Sequence, residues 1–162
     1  MFARTERLLL RPSWVEDRAA LADLFATPAL DSVLLPVAEG HPFDIELPWI
    51  VIQRRTAGAP ELVGCATLGA TGNGTAELRI WIAPFARRLG LASEAAPALL
   101  DMARFAIGAR RIVSRVPRNE LAGQRLCERL GMAQIQHGAD EEAFLFHCHL
   151  GYQDWEGAPL AA

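Results

Sequence analysis

The chain has 162 residues, of which 51% are hydrophobic and 22% charged, and its formal net charge is −3. This length suits one domain with its own hydrophobic core, and the acidic balance excludes the strongly basic surface typical of nucleic-acid-binding proteins. The apolar runs are much shorter than the roughly 20 residues of a membrane-spanning helix, so we expect no membrane association. The three cysteines are scattered and odd in number, which favours free thiols over a disulfide framework, and the charged N-terminal stretch does not suit a signal peptide. We therefore expect a cytoplasmic protein.

The first half of the chain predicts strands, one helix and a long loop. The apolar run within residues 5–12 indicates a strand, and Leu21, Leu24 and Phe25 follow at helical spacing. Residues 28–48 contain four of the ten prolines and no clear period, which is typical of a loop. Three further strands, separated by short turns, are predicted at residues 48–53, 61–68 and 76–84.

The second half alternates helices and strands. It predicts a helix from Leu91 to Gly108, a strand at 110–117, a helix at 119–130 and a closing hairpin over 132–138 and 142–150. Short turns require antiparallel neighbours, whereas strand–helix–strand passages allow parallel pairing. We therefore expect one domain over residues 1–162 of class α/β (α+β), with helices on both faces of a mixed, largely antiparallel sheet and a loosely packed tail from residue 151.

The stretch RRLGLASEA, residues 87–95, joins a predicted strand to a helix that begins near Leu91. A helix N-terminus leaves up to four N–H groups unpaired and carries about half a positive charge, a combination that binds phosphate. Small residues, arginines and a serine hydroxyl in this stretch favour a pyrophosphate site. A plain helix entrance is the alternative, because the chain has no lysine and every solvated cationic side chain must be arginine.

This stretch resembles the Arg/Gln-x-x-Gly-x-Gly/Ala loop of the GNAT superfamily of acetyl-CoA-dependent N-acetyltransferases. TERLLLRPSWVEDRAALADLF, PRNELAGQRLCERLGM and FLFHCHLGYQDWEG resemble the opening, the last helix and the closing strand of its ribosomal-protein (Rim-type) branch. The resemblance implies a GNAT-like sheet of six to seven strands, with a splay between the strands at 76–84 and 110–117. It also implies acetyl transfer from acetyl-CoA to a primary amine, either a protein N-terminus or a small molecule, by direct attack in a ternary complex.

The resemblance also implies which residues hold the coenzyme. The pyrophosphate site comprises backbone amides of Leu89, Gly90, Leu91, Ala92 and Ser93, with Arg87 and Arg88 beside them. A bulge in the preceding strand would pair with the pantetheine arm through Ile80, Trp81, Ile82 and Ala83. Asn119 lies one position from an asparagine that holds the coenzyme in many relatives.

Two residues are candidates for proton transfer. Glu77 heads the strand at 76–84 and is the candidate general base, with Glu39 and His41 as alternatives. Cys127 occupies the position of an acidic tyrosine in many relatives, and an ordinary thiol pKa of about 8.5 suits protonation of a leaving thiolate. A buried, inert cysteine is the alternative.

Residue 123 also differs from the family pattern, and the sequence leaves the amine acceptor and the oligomeric state open. Gly123 stands where many relatives carry serine, so a non-catalytic coenzyme-binding or partner-binding domain is the alternative function. His147 and His149 share a strand face, but without a neighbouring His/Cys cluster we expect no metal. The amine acceptor is open, the acidic balance favours a cationic one, and exposed strand edges leave a homodimer open.

Overall fold

The computed structural model describes residues 2–25, 49–54, 59–135 and 143–151. Its strands are β1 (Ala3–Arg4), β2 (Leu8–Pro12), β3 (Trp49–Arg54), β4 (Glu61–Gly72), β5 (Thr75–Ile82), β6 (Arg111–Pro117), β7 (Ala133–Ile135) and β8 (Ala143–His149). Its helices are α1 (Arg18–Phe25), α2 (Leu91–Met102), which continues as a π-helical turn over Ala103–Ile107, and α3 (Leu121–Arg129). Within these ranges, no helix is long and apolar enough to cross a membrane.

The predicted elements are found with small changes. The sheet has eight strands instead of six or seven, because the two-residue β1 adds a short edge strand before β2. The helix predicted to reach Gly108 ends as an α-helix at Met102 and contains Pro97. The predicted loop at 28–48 and the tail from residue 152 onward lie outside the described residues, as do the candidate bases Glu39 and His41.

The sheet is mixed and largely antiparallel, as predicted. Its strands lie in the order β1-β2-β3-β4-β5-β6-β8-β7, and the pairing of β5 with β6 is parallel while the others are antiparallel. The parallel pair is joined through α2, because parallel strands need a crossover connection. This crossover connection from β5 to β6 places the predicted phosphate loop beside both strands.

Helices α2 and α3 cover one face of the sheet. The buried apolar side chains on this face include Leu8, Leu10, Ile50, Ile52, Ala66, Leu68, Ala76, Leu78 and Ile112 from the strands and Leu91, Ala95, Leu99 and Cys127 from the helices. Because strand side chains alternate between faces, this face takes every second residue of β2 and β5. The stripe on α2 follows the helical period that the sequence predicts.

The opposite face carries a buried cross-strand row. Arg11, Val51, Cys65 and Trp81 are successive register partners across β2, β3, β4 and β5, and all four are buried. Arg11 donates two hydrogen bonds of 2.7 and 2.8 Å to the carboxylate of Asp17, in the turn that leads into α1. This buried ion pair fixes the start of α1 beside that face of the sheet.

Candidate acetyl-transfer site

Strands β5 and β6 diverge beside the start of α2. They pair only where Thr75–Glu77 meets Arg111–Val113. Beyond Glu77, β5 stays paired with β4 to Ile82, and β6 stays paired with β8 to Pro117. The two strands therefore enclose a V-shaped gap, which confirms the predicted splay.

Backbone groups of two residues in β5 face this gap. The Ala83 N–H donates to the Val63 carbonyl over 2.8 Å, so the polar backbone groups of Ala83 are directed toward β4. Alternate residues of an antiparallel strand direct these groups to opposite sides, so those of Ile80 and Ile82 face the gap and those of Trp81 face β4. The structure thus brings Ile80 and Ile82 to the gap, and turns the backbone groups of Trp81 and Ala83 away from it.

The bulge expected in β5 over Ile80–Ala83 is not found, and this expectation is wrong. The register of β4 and β5 runs without a shift from Gly64↔Ile82 to Ala70↔Ala76. Near the Gly64 end of β4, the register shift lies instead between β3 and β4, where Val63 is the extra residue. Strands β4 and β5 lie in close contact at this end, since a Cβ atom on Gly64 would stand only 2.3 Å from the Trp81 carbonyl oxygen.

The loop before α2 has the geometry expected of an anion site. Gly90 is the N-cap residue with φ 77° and ψ 6°, a left-handed conformation that favours glycine, and the helix has no side-chain cap there. The N–H groups of Leu91, Ala92 and Ser93 therefore donate no hydrogen bond to a capping side chain at Gly90, which leaves them available to a phosphate. Arg88 also has a positive φ of 64°, which is uncommon for a residue with a side chain.

Two exposed arginines belong to this loop, and one of them contacts the strand that borders the gap. The Arg87 Nε donates to the Ile82 carbonyl over 3.0 Å, so Arg87 links the loop to the end of β5. Both Arg87 and Arg88 are exposed. Their charges lie next to the uncapped helix start, where an anion is favoured by the helix dipole.

A carboxylate in the first turn of α2, which the sequence analysis did not single out, anchors the loop. Glu94 accepts hydrogen bonds from the Thr5 hydroxyl, from the Arg7 backbone N–H over 2.7 Å and from Arg7 Nε over 2.6 Å. Burial raises the pKa of Glu94, but these hydrogen bonds outweigh it and hold the pKa below its usual value. The pairing joins residues 87 positions apart, so no local sequence pattern could have revealed it.

The candidate base Glu77 lies at the point where the gap opens. It is the last residue of β5 that pairs with β6, and its carboxylate accepts from Arg79 Nε over 2.9 Å. Glu77 and Arg79 are two apart in a strand and share a face, so the alternation in the sequence could have predicted this ion pair. The assignment of Glu77 as the base stays a prediction.

The candidate acid Cys127 lies in the hydrophobic core. It is 4% exposed, and burial raises the pKa of its thiol to about 11, although a hydrogen bond with Ser114 acts in the opposite direction. A buried thiol with a raised pKa is a weak acid, so the geometry favours the alternative of a packing residue. Gly123, one turn earlier, has a packing role too, because its Cβ would stand 2.9 Å from Val116 Cγ1.

Asn119 lies beyond the end of β6, at the mouth of the gap. It is exposed in the turn that leads into α3. The side chain that holds this turn is Gln124, whose Nε2 donates to the carbonyls of Pro117 and Arg118 over 3.2 and 2.9 Å. The structure therefore leaves Asn119 accessible to a ligand at that end of the gap.

The two histidines of the closing strand lie apart from the gap. The rings of His147 and His149 are 5.9 Å apart and nearly perpendicular. In the part of the chain that the structure describes, no group of three or more His, Cys, Asp or Glu side chains is arranged to hold a metal ion.

Comparison with known families agrees with this geometry. The sequence profile described as "Acetyltransferase (GNAT) domain" matches residues 7–133. The chain belongs to the GNAT acetyltransferase family. The match includes β2, the gap between β5 and β6, the loop before α2 and helix α3. Among proteins of curated function, none matches the chain at a significant level.

Solved structures of this family share the fold. An acetyltransferase from Agrobacterium tumefaciens is 24% identical with a TM-score of 0.71, over 92% of this chain and 94% of that one. Spermidine N-acetyltransferase from Vibrio cholerae, solved with CoA and spermine, is 18% identical with a TM-score of 0.73, over 88% and 95%. A Vibrio cholerae protein described as a ribosomal-protein-serine acetyltransferase is 17% identical with a TM-score of 0.67, over 92% and 97%. At these identities the likeness shows the GNAT fold.

Proposed function

We propose that this GNAT domain transfers the acetyl group of acetyl-CoA to a primary amine, on a small molecule or a protein N-terminus, by direct attack in a ternary complex. The observation that carries the proposal is the V-shaped gap between β5 and β6, which opens beside an uncapped helix N-terminus with Gly90 at its cap. The loop fits a pyrophosphate because its donors are backbone N–H groups and its rim carries two arginines. The gap exposes a strand edge to which an extended amide chain can hydrogen-bond.

Each part of the gap has a task in this reaction. Acetyl-CoA supplies the thioester whose carbonyl carbon the amine attacks. The Ile80 and Ile82 backbone groups face the gap, and an N–H directed there stabilises negative charge on the acetyl oxygen. Glu77 holds the proton that the attacking amine gives up, directly or through a water molecule. As the C–N bond forms the C–S bond breaks, and the coenzyme leaves as a thiolate or, after protonation, as a thiol.

Orientation contributes much of the rate in such a reaction. Holding the amine and the thioester in line replaces an encounter between two molecules with a step inside one complex. This matters here because the residue at the position of the usual tyrosine is the buried Cys127. A domain that positions both reactants well tolerates a weak acid.

Thermal unfolding of the wild type and of Arg87→Glu, with acetyl-CoA, coenzyme A, ATP or NAD, tests coenzyme binding. A ligand at 100 times its dissociation constant stabilises the protein by about 2.7 kcal/mol, which raises the melting temperature by roughly 5–11 °C. We expect this shift with acetyl-CoA and coenzyme A alone, and a smaller shift in Arg87→Glu. Absence of a shift with both coenzymes would overturn the proposal.

A second candidate function is coenzyme binding without catalysis, which the burial of Cys127 favours. The two functions differ in thiol release. We expect acetyl-CoA with a panel of primary amines, including spermine and short peptides with free N-termini, to release thiol faster than acetyl-CoA alone. Coenzyme binding without release above hydrolysis for every amine would support the second function.

A further inference from the structure

The turn between β1 and β2 supplies an arginine to the loop before α2. Arg7 Nη1 donates to the Leu89 carbonyl over 2.9 Å, while its Nε donates to Glu94 Oε2 over 2.6 Å. Its Nη2 lies 3.6 Å from the position that a Cβ atom on Gly90 would occupy. One guanidinium group therefore bridges the loop and the first turn of the helix.

The position of Arg7 is fixed by a network that does not involve the loop. Its backbone N–H and the Thr5 hydroxyl both donate to Glu94 Oε1, and Thr5 Oγ1 accepts from the Leu8 N–H over 3.1 Å. The Thr5 N–H in turn donates to the Leu8 carbonyl over 3.0 Å, which closes the turn. Because Glu94 receives three hydrogen bonds from this turn, Arg7 is held against α2 before any ligand binds.

The bond to the Leu89 carbonyl sets the direction of a backbone donor. A trans peptide is planar, and its C=O and N–H point in opposite directions. The peptide that contains the Leu89 carbonyl also contains the Gly90 N–H, so this N–H points away from Arg7. Rotation of the peptide, which the freedom of glycine would otherwise allow, breaks the bond to the guanidinium.

We propose that Arg7 is a positioning residue for the coenzyme pyrophosphate: by holding the Leu89 carbonyl, it fixes the peptide that presents the Gly90 N–H to the phosphate oxygens. The inference rests on the proposed coenzyme binding and adds Arg7, which lies outside the loop, to the residues that contribute to this binding. Arg7 acts through the backbone, so its loss should weaken ligands that carry the pyrophosphate and leave unchanged those that lack it.

Titration calorimetry with coenzyme A and with pantetheine, which lacks the pyrophosphate, tests this role in the full chain. We expect Arg7→Ala to raise the dissociation constant for coenzyme A about tenfold, the usual effect of losing one charge-assisted hydrogen bond. Arg7→Lys should lose a similar factor, because one ammonium group cannot serve Glu94 and Leu89 together as the planar guanidinium does. Both variants should bind millimolar pantetheine as the wild type does.

The control is Arg54→Ala, which removes a comparable arginine–glutamate pair, to Glu61 over 2.7 Å. It should leave both affinities unchanged. Equal weakening of coenzyme A and pantetheine by Arg7→Ala would mean general loosening and would overturn the positioning role, as would unchanged affinity for coenzyme A. If the wild type itself fails to bind coenzyme A, both the proposed function and this inference are refuted.

Discussion

Gly64 keeps β4 close to the end of β5, and Gly64→Ala is expected to move one arm of the gap. The added Cβ atom would stand 2.3 Å from the Trp81 carbonyl oxygen and 3.0 Å from Ile82 Cδ1. The oxygen belongs to the backbone, so a side-chain rotation cannot relieve the contact. Strand β5 must retreat by about 1 Å to restore an ordinary separation of about 3.5 Å.

The expected magnitude follows from this displacement. Overpacking of this kind costs about 1–3 kcal/mol, which lowers the melting temperature of a chain of this size by roughly 2–12 °C. The displaced segment includes Ile82, whose backbone groups face the gap. Since a misplacement of about 1 Å at reacting groups can cost about 100-fold in rate, acetyl transfer should fall far more than the stability does.

Gly131→Ala provides a control variant with a comparable expected loss of stability. Gly131 has φ 70° at the end of α3, and a Cβ atom there would meet nothing within 4 Å. Alanine in this left-handed conformation costs about 1–2 kcal/mol without moving β5. In melting and thiol-release assays, Gly131→Ala should lose stability and keep its rate. If Gly64→Ala keeps the wild-type melting temperature and rate, the argument from close contact is wrong.

Four further predictions concern buried contacts of the domain. Asp17→Ala leaves Arg11 buried without its carboxylate and should lower the free energy of unfolding in urea by about 3–5 kcal/mol; an unchanged value would contradict the role of the pair. Hydrogen bonds from Arg11 hold the pKa of Asp17 below its usual value, so the stability that this shift contributes is complete above the usual pKa of an aspartate and is lost as the pH falls through the lowered pKa; the melting temperature of Asp17→Asn should therefore vary less with acid pH than that of the wild type. Gly123→Ser should cost about 1–3 kcal/mol through its contact with Val116, and adding Val116→Ala should recover part of the loss, whereas equal losses in both variants would refute the clash. Cys127→Ala should keep the rate of thiol release within a factor of about two, while abolished release with intact coenzyme binding would establish the thiol as the acid.

Much of the fold could be predicted because its elements carry local patterns. The alternation of Leu78, Ile80 and Ile82 with Glu77, Arg79 and Trp81 predicts β5, and the helical stripe after Gly90 predicts α2. The edge strand β1 was missed because its two residues are too few to show a period. The π-helical end of α2 could not be predicted either, because its residues continue the helical pattern up to Gly108.

The site could be predicted only where it is a contiguous segment. Gly90 precedes α2 in a left-handed conformation, as a glycine just before a helical stripe predicts, while the role of residues 87–93 in phosphate binding stays a prediction. Arg7 and Glu94 were missed because their contact spans 87 positions, and each residue alone looks like a solvated charge. The close approach of Gly64 to β5 could not be predicted either, because a glycine within a strand does not reveal which backbone approaches it.

The two departures on α3 form one packing arrangement, and this changes what they imply about catalysis. Gly123 and Cys127 are four residues apart and lie on one side of the helix, where they meet Val116 and Ser114, two apart on one side of β6. The contact at Gly123 leaves no room for a Cβ atom, so α3 lies closer to the strand than a serine at this position would allow. The absence of a serine at position 123 is therefore explained by helix–strand packing, which changes neither the gap nor the loop before α2. In the proposed reaction the leaving thiolate then takes its proton from solvent or from the protonated Glu77, and we expect the rate to depend chiefly on how well β5 and the loop align the two reactants.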